Sequence, residues 1–208
     1  MRVFIFMLTF GILSCGIKPT NIQDNSSLET HRVEYKAGFL KDPRSPLVVN
    51  DLPYLDFFTE NKAWNLTCNC TLVENATPFE LPTYSGVTRT YILYAKVACP
   101  YKKILISIEI YKNIHQPINP LYKNHLFLPF KDLTNGDQTY GGGRYINLQT
   151  TDIKNGNINI DFNKCYNPWC AYSDGYNCPI PPKANHIDLS VEAGEKMYLG
   201  EHKQAKQN

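Results

Sequence analysis

No helical periodicity stands out along the 208 residues, no internal repeat is visible, and no basic run interleaves with aromatic residues. The missing basic run argues against a nucleic-acid surface, which needs clustered Lys and Arg against phosphates. Net charge is only +2, with Lys and Arg scattered. Catalytic signatures are missing as well. There is no Gly-x-Ser-x-Gly elbow and no His-Glu-x-x-His helix, and the GGGR run at 141–144 lacks the Lys-Ser/Thr that a phosphate-cradling loop requires. Histidine is sparse: only His115, His125 and His186 fall in the expected folded body, so a nucleophilic cysteine would have few bases to draw on. No cofactor and no metal is expected.

The N-terminus is informative. One Arg is followed by the apolar run Val3 to Leu13, too short to span a bilayer, and then by Ile12-Leu13-Ser14-Cys15. That is the pattern of a bacterial lipobox, in which Cys15 is lipidated and becomes the first mature residue. An ordinary secretory signal cleaved nearby is the alternative. The expected layout is a signal peptide at 1–14, a lipid-anchored polar linker at 15–38, one β-rich domain at 39–199 and a polar tail at 200–208. The membrane is then a partner through the N-terminal lipid. Gly16 carries no acidic retention signal, which favours the outer membrane, facing the periplasm. A mature chain of about 190 residues buries roughly 70% of its unfolded surface and needs no staple merely to fold.

Several stretches read as strands. WNLTCNCTLV at 64–73 alternates Trp64, Leu66, Cys68, Cys70 and Leu72 on one face. TRTYILYAKVA and KILISIEIYK, separated by CPYK, read as an antiparallel pair, with Ile104, Ile106, Ile108 and Ile110 sharing a face. HLFLPF, RYINLQ, NINIDF and HIDLSVE complete the set. With 14 Tyr, 14 Pro and 12 Gly, the fold class expected is all-β, a single antiparallel β-sandwich or barrel with a Pro/Cys/aromatic-rich C-terminal loop. Setting Cys15 aside leaves six cysteines, an even number in an exported chain, so disulfides are the default. Cys68 and Cys70 lie on one strand face and would close a strained ring with each other. Cys99, at the end of the next long strand, is the natural partner for one of them. Four Asn-x-Ser/Thr sequons (Asn25, Asn65, Asn69, Asn75) are chance occurrences in an Asn-rich bacterial chain.

The run YGGGRYINL at 140–148 asks what lies against three consecutive glycines. Asn135-Gly136 just before it signals a turn that would set HLFLPF against RYINLQ. Arg144 falls on the apolar face with Ile146 and Leu148, and an inward guanidinium needs an anion or carbonyls. Two readings stay open, a structural Arg held by loop carbonyls and an Arg that binds an anionic ligand. Asp161 is a candidate partner, although alternation turns it away from that face unless a bulge intervenes. After Asn163 the chain fills with turn-formers and with Tyr166, Trp169, Tyr172 and Tyr176, too many large aromatics for a solvated loop. Cys170 and Cys178 could form a disulfide, coordinate a metal with His186, or leave a reactive thiol.

The words YGGGRYINL, IDFNKCYNPWCAYSDGYNCPIPPKANH and VEAGEK, with DPRSPL, LDFF, PFELPT and LPFKDLTNGDQTYGGGRY upstream, resemble a prokaryotic family catalogued as domain of unknown function 1684, in its compact form. The likeness runs over about residues 40 to 198. It brings no established activity. It implies recurring positions at Gly141, Gly142, Gly143 and Arg144, at Asp161, Asn163, Tyr166 and Asn167, and at Pro168, Cys170, Cys178, Pro179 and Asn185. It also implies members without export signals, and if their two cysteines stay reduced, a pure disulfide role for Cys170 and Cys178 weakens. Cys165 stands where Ala is common, and it joins Cys68, Cys70 and Cys99 as staples added in this chain. Three functions remain. The first is a lipid-anchored module binding a small anionic ligand through Arg144 and the 161–185 loop. The second is an enzyme using Asp161 or Cys170 beside Arg144. The third is a structural or interaction lipoprotein. A water-filled cavity lined by Arg144 and tyrosines would favour the first two, and a fully packed Arg144 the third.

Overall fold

The computed structural model describes residues 25–115 and 122–204. The signal segment, Cys15 and the start of the linker lie outside the described residues.

Seven antiparallel strands form one sheet: β1 (Asn65–Leu72), β2 (Phe79–Pro82), β3 (Thr88–Tyr101), β4 (Ile104–Asn113), β5 (His125–Phe130), β6 (Arg144–Gln149) and β7 (Asn157–Asp161). Their order is β6-β5-β4-β3-β1-β7, with β2 added along β3. The all-β expectation holds. The sheet curls, so that its two end strands, β6 and β7, line one common cleft and the barrel stays incomplete.

The alternation that marked the strands reflects burial on one face. Ile106, Ile108 and Ile110 of β4, Leu126 and Leu128 of β5, and Ile158 and Ile160 of β7 pack into the main core. Ile104, at the start of β4, is exposed. Trp64 closes the core, stacked on Tyr101 at 4.1 Å between ring centroids. The opposite face is not left to solvent. Leu81, Tyr91, Tyr111, Phe127 and Tyr145 form a second cluster there.

One helix, α1 (Asn25–Lys41), occupies most of the segment expected as polar linker. Leu28, Arg32, Tyr35 and Phe39 are spaced i, i+4, i+7, i+11 and so lie on one helix face. Leu28 and Phe39 are buried, and Arg32 donates from Nη2 to the Phe58 carbonyl at 2.7 Å while sitting over the Phe57 ring. The helix stops at Lys41 because Asp42 precedes Pro43, and a residue before proline is driven out of the helical region.

Cys68 is bonded to Cys99 across β1 and β3, and Cys170 to Cys178. Two of the expected staples are absent: Cys70 and Cys165 are free, buried thiols. The register explains Cys70, which sits opposite Val97 and therefore faces no sulfur. Cys165 fills a tight space against Gly194 and donates to the Ala193 carbonyl.

Candidate functional site

The expected β5–β6 hairpin forms, with a register running from His125 opposite Gln149 to Phe130 opposite Arg144. The glycines sit at its loop end rather than mid-strand. Gly143 has φ +92°, and a Cβ there would fall 2.5 Å from the Phe130 carbonyl and 2.8 Å from Pro181 Cγ. A Cβ on Gly142 would strike the Tyr140 ring, whereas one on Gly141 would meet the Gly136 backbone at an ordinary 3.7 Å. What presses on Gly143 is therefore the neighbouring strand and the Pro-rich loop.

Arg144 is fully buried. Its Nη1 donates to the carbonyls of Ala193 (2.5 Å) and Glu195 (3.2 Å), and its Nη2 to the Val191 carbonyl and to Asp132 Oδ2, both at 2.8 Å. Asp132, not Asp161, is the counter-ion, and the other carboxylate oxygen of Asp132 accepts from Thr134 N and Val191 N. The guanidinium holds the 191–195 segment against the sheet and has no open side for a ligand. The packed alternative for Arg144 is the one realised.

The other motif residues do similar work. Asn163 accepts from Asn61 N at 2.8 Å and donates to the Asn61 carbonyl, joining two segments 102 residues apart. Asn185 accepts from Glu109 N and donates to the carbonyls of Glu109 and Pro129. It bridges β4 and β5 beyond Tyr111–Phe127, their one register pair, where Pro129 has no N–H to offer. Asn167 donates from Nδ2 to the Lys196 carbonyl. Tyr166 pairs its backbone with Tyr145 in both directions and donates its hydroxyl to Asn147 Oδ1. Cys170, bonded to Cys178, is neither a nucleophile nor a metal ligand with His186. Among the described residues no group of three or more His, Cys, Asp or Glu is placed to hold a metal ion.

A buried acid escaped sequence reasoning. Glu195 is fully buried and accepts from Tyr172 OH (2.6 Å), Tyr35 OH (2.8 Å) and Asn167 N (2.8 Å). Burial pushes its carboxyl up to about 7 against the opposing pull of these donors. Burial, and next the Glu195 charge, raise both tyrosines well above the usual phenol range. Glu195 lay inside the quoted word VEAGEK, but nothing in its spacing marked it as buried.

The cavity of note lies elsewhere, between the end strands. A cleft of about 1000 Å³ is walled by β6, β7, α1 and the start of the C-terminal loop. Of the expected site residues only Asp161 and Tyr166 line it. The rest of its polar lining was not singled out: Asn65, Thr67, Asn147, Asn157 and Asn159 on strands, and His31 and Glu34 on α1. His31, placed in the linker by the sequence, lies beside Lys164 and is held below the usual imidazole range by burial and then by the Lys164 charge. Four of the rim charges form two pairs. Arg44 grips Asp42 with two hydrogen bonds, and Lys164 lies 3.9 Å from Asp161. Among the described residues no helix is long and apolar enough to cross a membrane.

With this geometry in view, the model of a protein family of unknown function, DUF1684, matches residues 50–196. The chain belongs to this family. No curated protein matches it. A solved structure does: the solution NMR structure of an uncharacterized protein from Haloarcula marismortui aligns with a TM-score of 0.65 at 29% identity, covering 83% of this chain and 93% of that one. The DUF1684 match begins after α1, so the helix and its His31, Glu34 and Tyr35 stand outside the matched residues.

Proposed function

We propose that this DUF1684 protein is a lipid-anchored binding module of the cell envelope that seats a small ligand in the β6–β7 cleft and carries out no chemistry on it. The observation that carries this reading is the cleft itself, an open volume with polar side chains in its walls, bounded by the GGGR strand on one side and by Asp161, Lys164 and Tyr166 on the other. The anionic ligand class loses its main support, because Arg144 is internal. The cleft also carries four carboxylates (Glu34, Asp42, Asp152, Asp161) against Arg44, Lys154 and Lys164. Lipid anchoring rests on the Ile12-Leu13-Ser14-Cys15 pattern. The test of the cleft is NMR titration of the ¹⁵N-labelled domain with saccharides, dicarboxylates, inorganic phosphate and short peptides. Selective movement of Asn147, Asn159 and Lys164 signals is expected with one of these classes. The test of the anchor is incorporation of labelled palmitate, which Cys15→Ala must abolish.

The second reading, a structural or interaction lipoprotein without ligand, is favoured by one observation. Arg144, Asn163, Asn167 and Asn185 all spend their hydrogen bonds inside the protein, mostly on its own backbone. Cleft signals that stay still with every probe would establish it.

A further inference from the structure

The cross-strand pairs Asn65–Asp161, Thr67–Asn159 and Asn69–Asn157 place three polar side chains of β1 directly beside three of β7. Their apolar neighbours Leu66, Cys68, Ile158 and Ile160 point into the core, so these six share the outer face. Within such a grid neighbours are about 5 Å apart across strands and about 7 Å apart along them. All but Asn69 line the cleft. The side chains of Asn65, Thr67 and Asn159 have no hydrogen-bond partner among the described residues. This contrasts with the buried amides of the same chain, which are engaged on the backbone.

Resting on the cleft as ligand seat, we infer that its ligand is a neutral oligosaccharide lying along the β1–β7 grid. Amide and hydroxyl side chains both donate and accept, as sugar hydroxyls do, whereas a row of carboxylates or ammonium groups would match only one role. The branched aliphatic residues of the lining, Ile146, Leu148 and Ile158, are 3%, 6% and 1% exposed, so they offer almost no surface to a lipid or acyl chain. Exposed Tyr122 and half-buried Trp169, which carries Arg44 over its ring, place aromatic side chains at the rim for the C–H side of sugar rings. Four carboxylates against three cations on the rim give no field that would select an anion. Three successive rungs suit a chain of sugar units better than one ring.

The test uses the side-chain NH₂ signals of Asn65, Asn157 and Asn159, which report on the grid itself. Chito-, cello- and malto-oligosaccharides are titrated beside their monosaccharides, inorganic phosphate and tetrapeptides. Expected are shifts of these NH₂ signals and of the Trp169 indole, with the oligomer binding about tenfold tighter than its monomer. Asn159→Ala and Thr67→Val, both exposed, should each weaken binding about fivefold at unchanged thermal midpoint. Grid signals moved by phosphate or peptide but by no saccharide overturn the sugar assignment and leave the cleft as a binding site. Signals that no probe moves overturn both.

Discussion

Glu195→Gln should remove most of a pH dependence that this one side chain builds into stability. The carboxyl titrates at about 7 in the folded protein against 4.5 when solvated, because burial disfavours its charge more than Tyr35, Tyr172 and Asn167 stabilise it. A raised acid makes the folded state the better proton binder. Its contribution is therefore fully present below pH 4.5 and is lost as pH rises through about 7. Each pH unit between the two values is worth about 1.4 kcal/mol, so the loss is about 3 kcal/mol. Glutamine imitates the neutral acid at every pH. Urea unfolding followed by the fluorescence of Trp64 and Trp169, at steps from pH 4 to pH 8, gives both curves. Other titrating groups, among them His31 and the salt-bridged Asp56, act in both proteins and cancel in the difference. Expected is a near-coincidence at pH 4 and a gap that opens by about 3 kcal/mol to pH 8, with the variant the more stable. Parallel curves across that window would refute the reasoning and show that the carboxylate is as well solvated by its three donors as by water.

Four further outcomes follow from the packing. Gly143→Ala must place a methyl 2.5 Å from the Phe130 carbonyl at φ +92°, so a loss of about 3 kcal/mol or more is expected by denaturant titration, whereas Gly141→Ala should change little. Asp132→Asn leaves a buried guanidinium without its counter-ion and should cost about 3–5 kcal/mol; Arg144→Lys should not restore stability, since one ammonium cannot reach three carbonyls and a carboxylate in the same fork. Removing the Cys68–Cys99 bond, which spans 31 residues, should cost about 4 kcal/mol, against about 2–3 kcal/mol for Cys170–Cys178, which spans 8. Alkylation with mass detection on the soluble domain lacking Cys15 should label no thiol in the native state and two, Cys70 and Cys165, after unfolding without reductant; three disulfides would require a Cys70–Cys165 bond and contradict the two free thiols.

What could be read from the chain alone tracks how local its cause is. The strands were legible in WNLTCNC, KILISIEI and NINID because a side-chain period of two is written directly into the sequence. The β5–β6 hairpin was legible because its turn signal lies between its strands. Helix α1 was not, since its docking stripe is Leu28, Arg32, Tyr35 and Phe39, and two of those four are polar. Only the Phe57 ring and the Phe58 carbonyl, more than 20 residues away, make Arg32 a docking residue. Asp132 was missed for the same reason. It reads as a turn former in KDLTNGD and becomes the counter-ion of Arg144 only once the hairpin has closed.

The cleft depends on a still less local event, the curl that brings the two ends of the sheet together. Hence the separation of roles among chemically identical side chains. Asn163, Asn167 and Asn185 stand within the rare words that make the family recognisable, and each ties down backbone that the strand ladders leave unpaired. Asn65 and Asn159 stand in ordinary alternating strands and keep their amides free over the cleft. A buried amide that loses its partner costs the fold about 1–3 kcal/mol, while an exposed one can be exchanged at almost no cost. The words that identify this chain therefore report how it is held together, and the residues that would choose a ligand lie where the fold constrains them least.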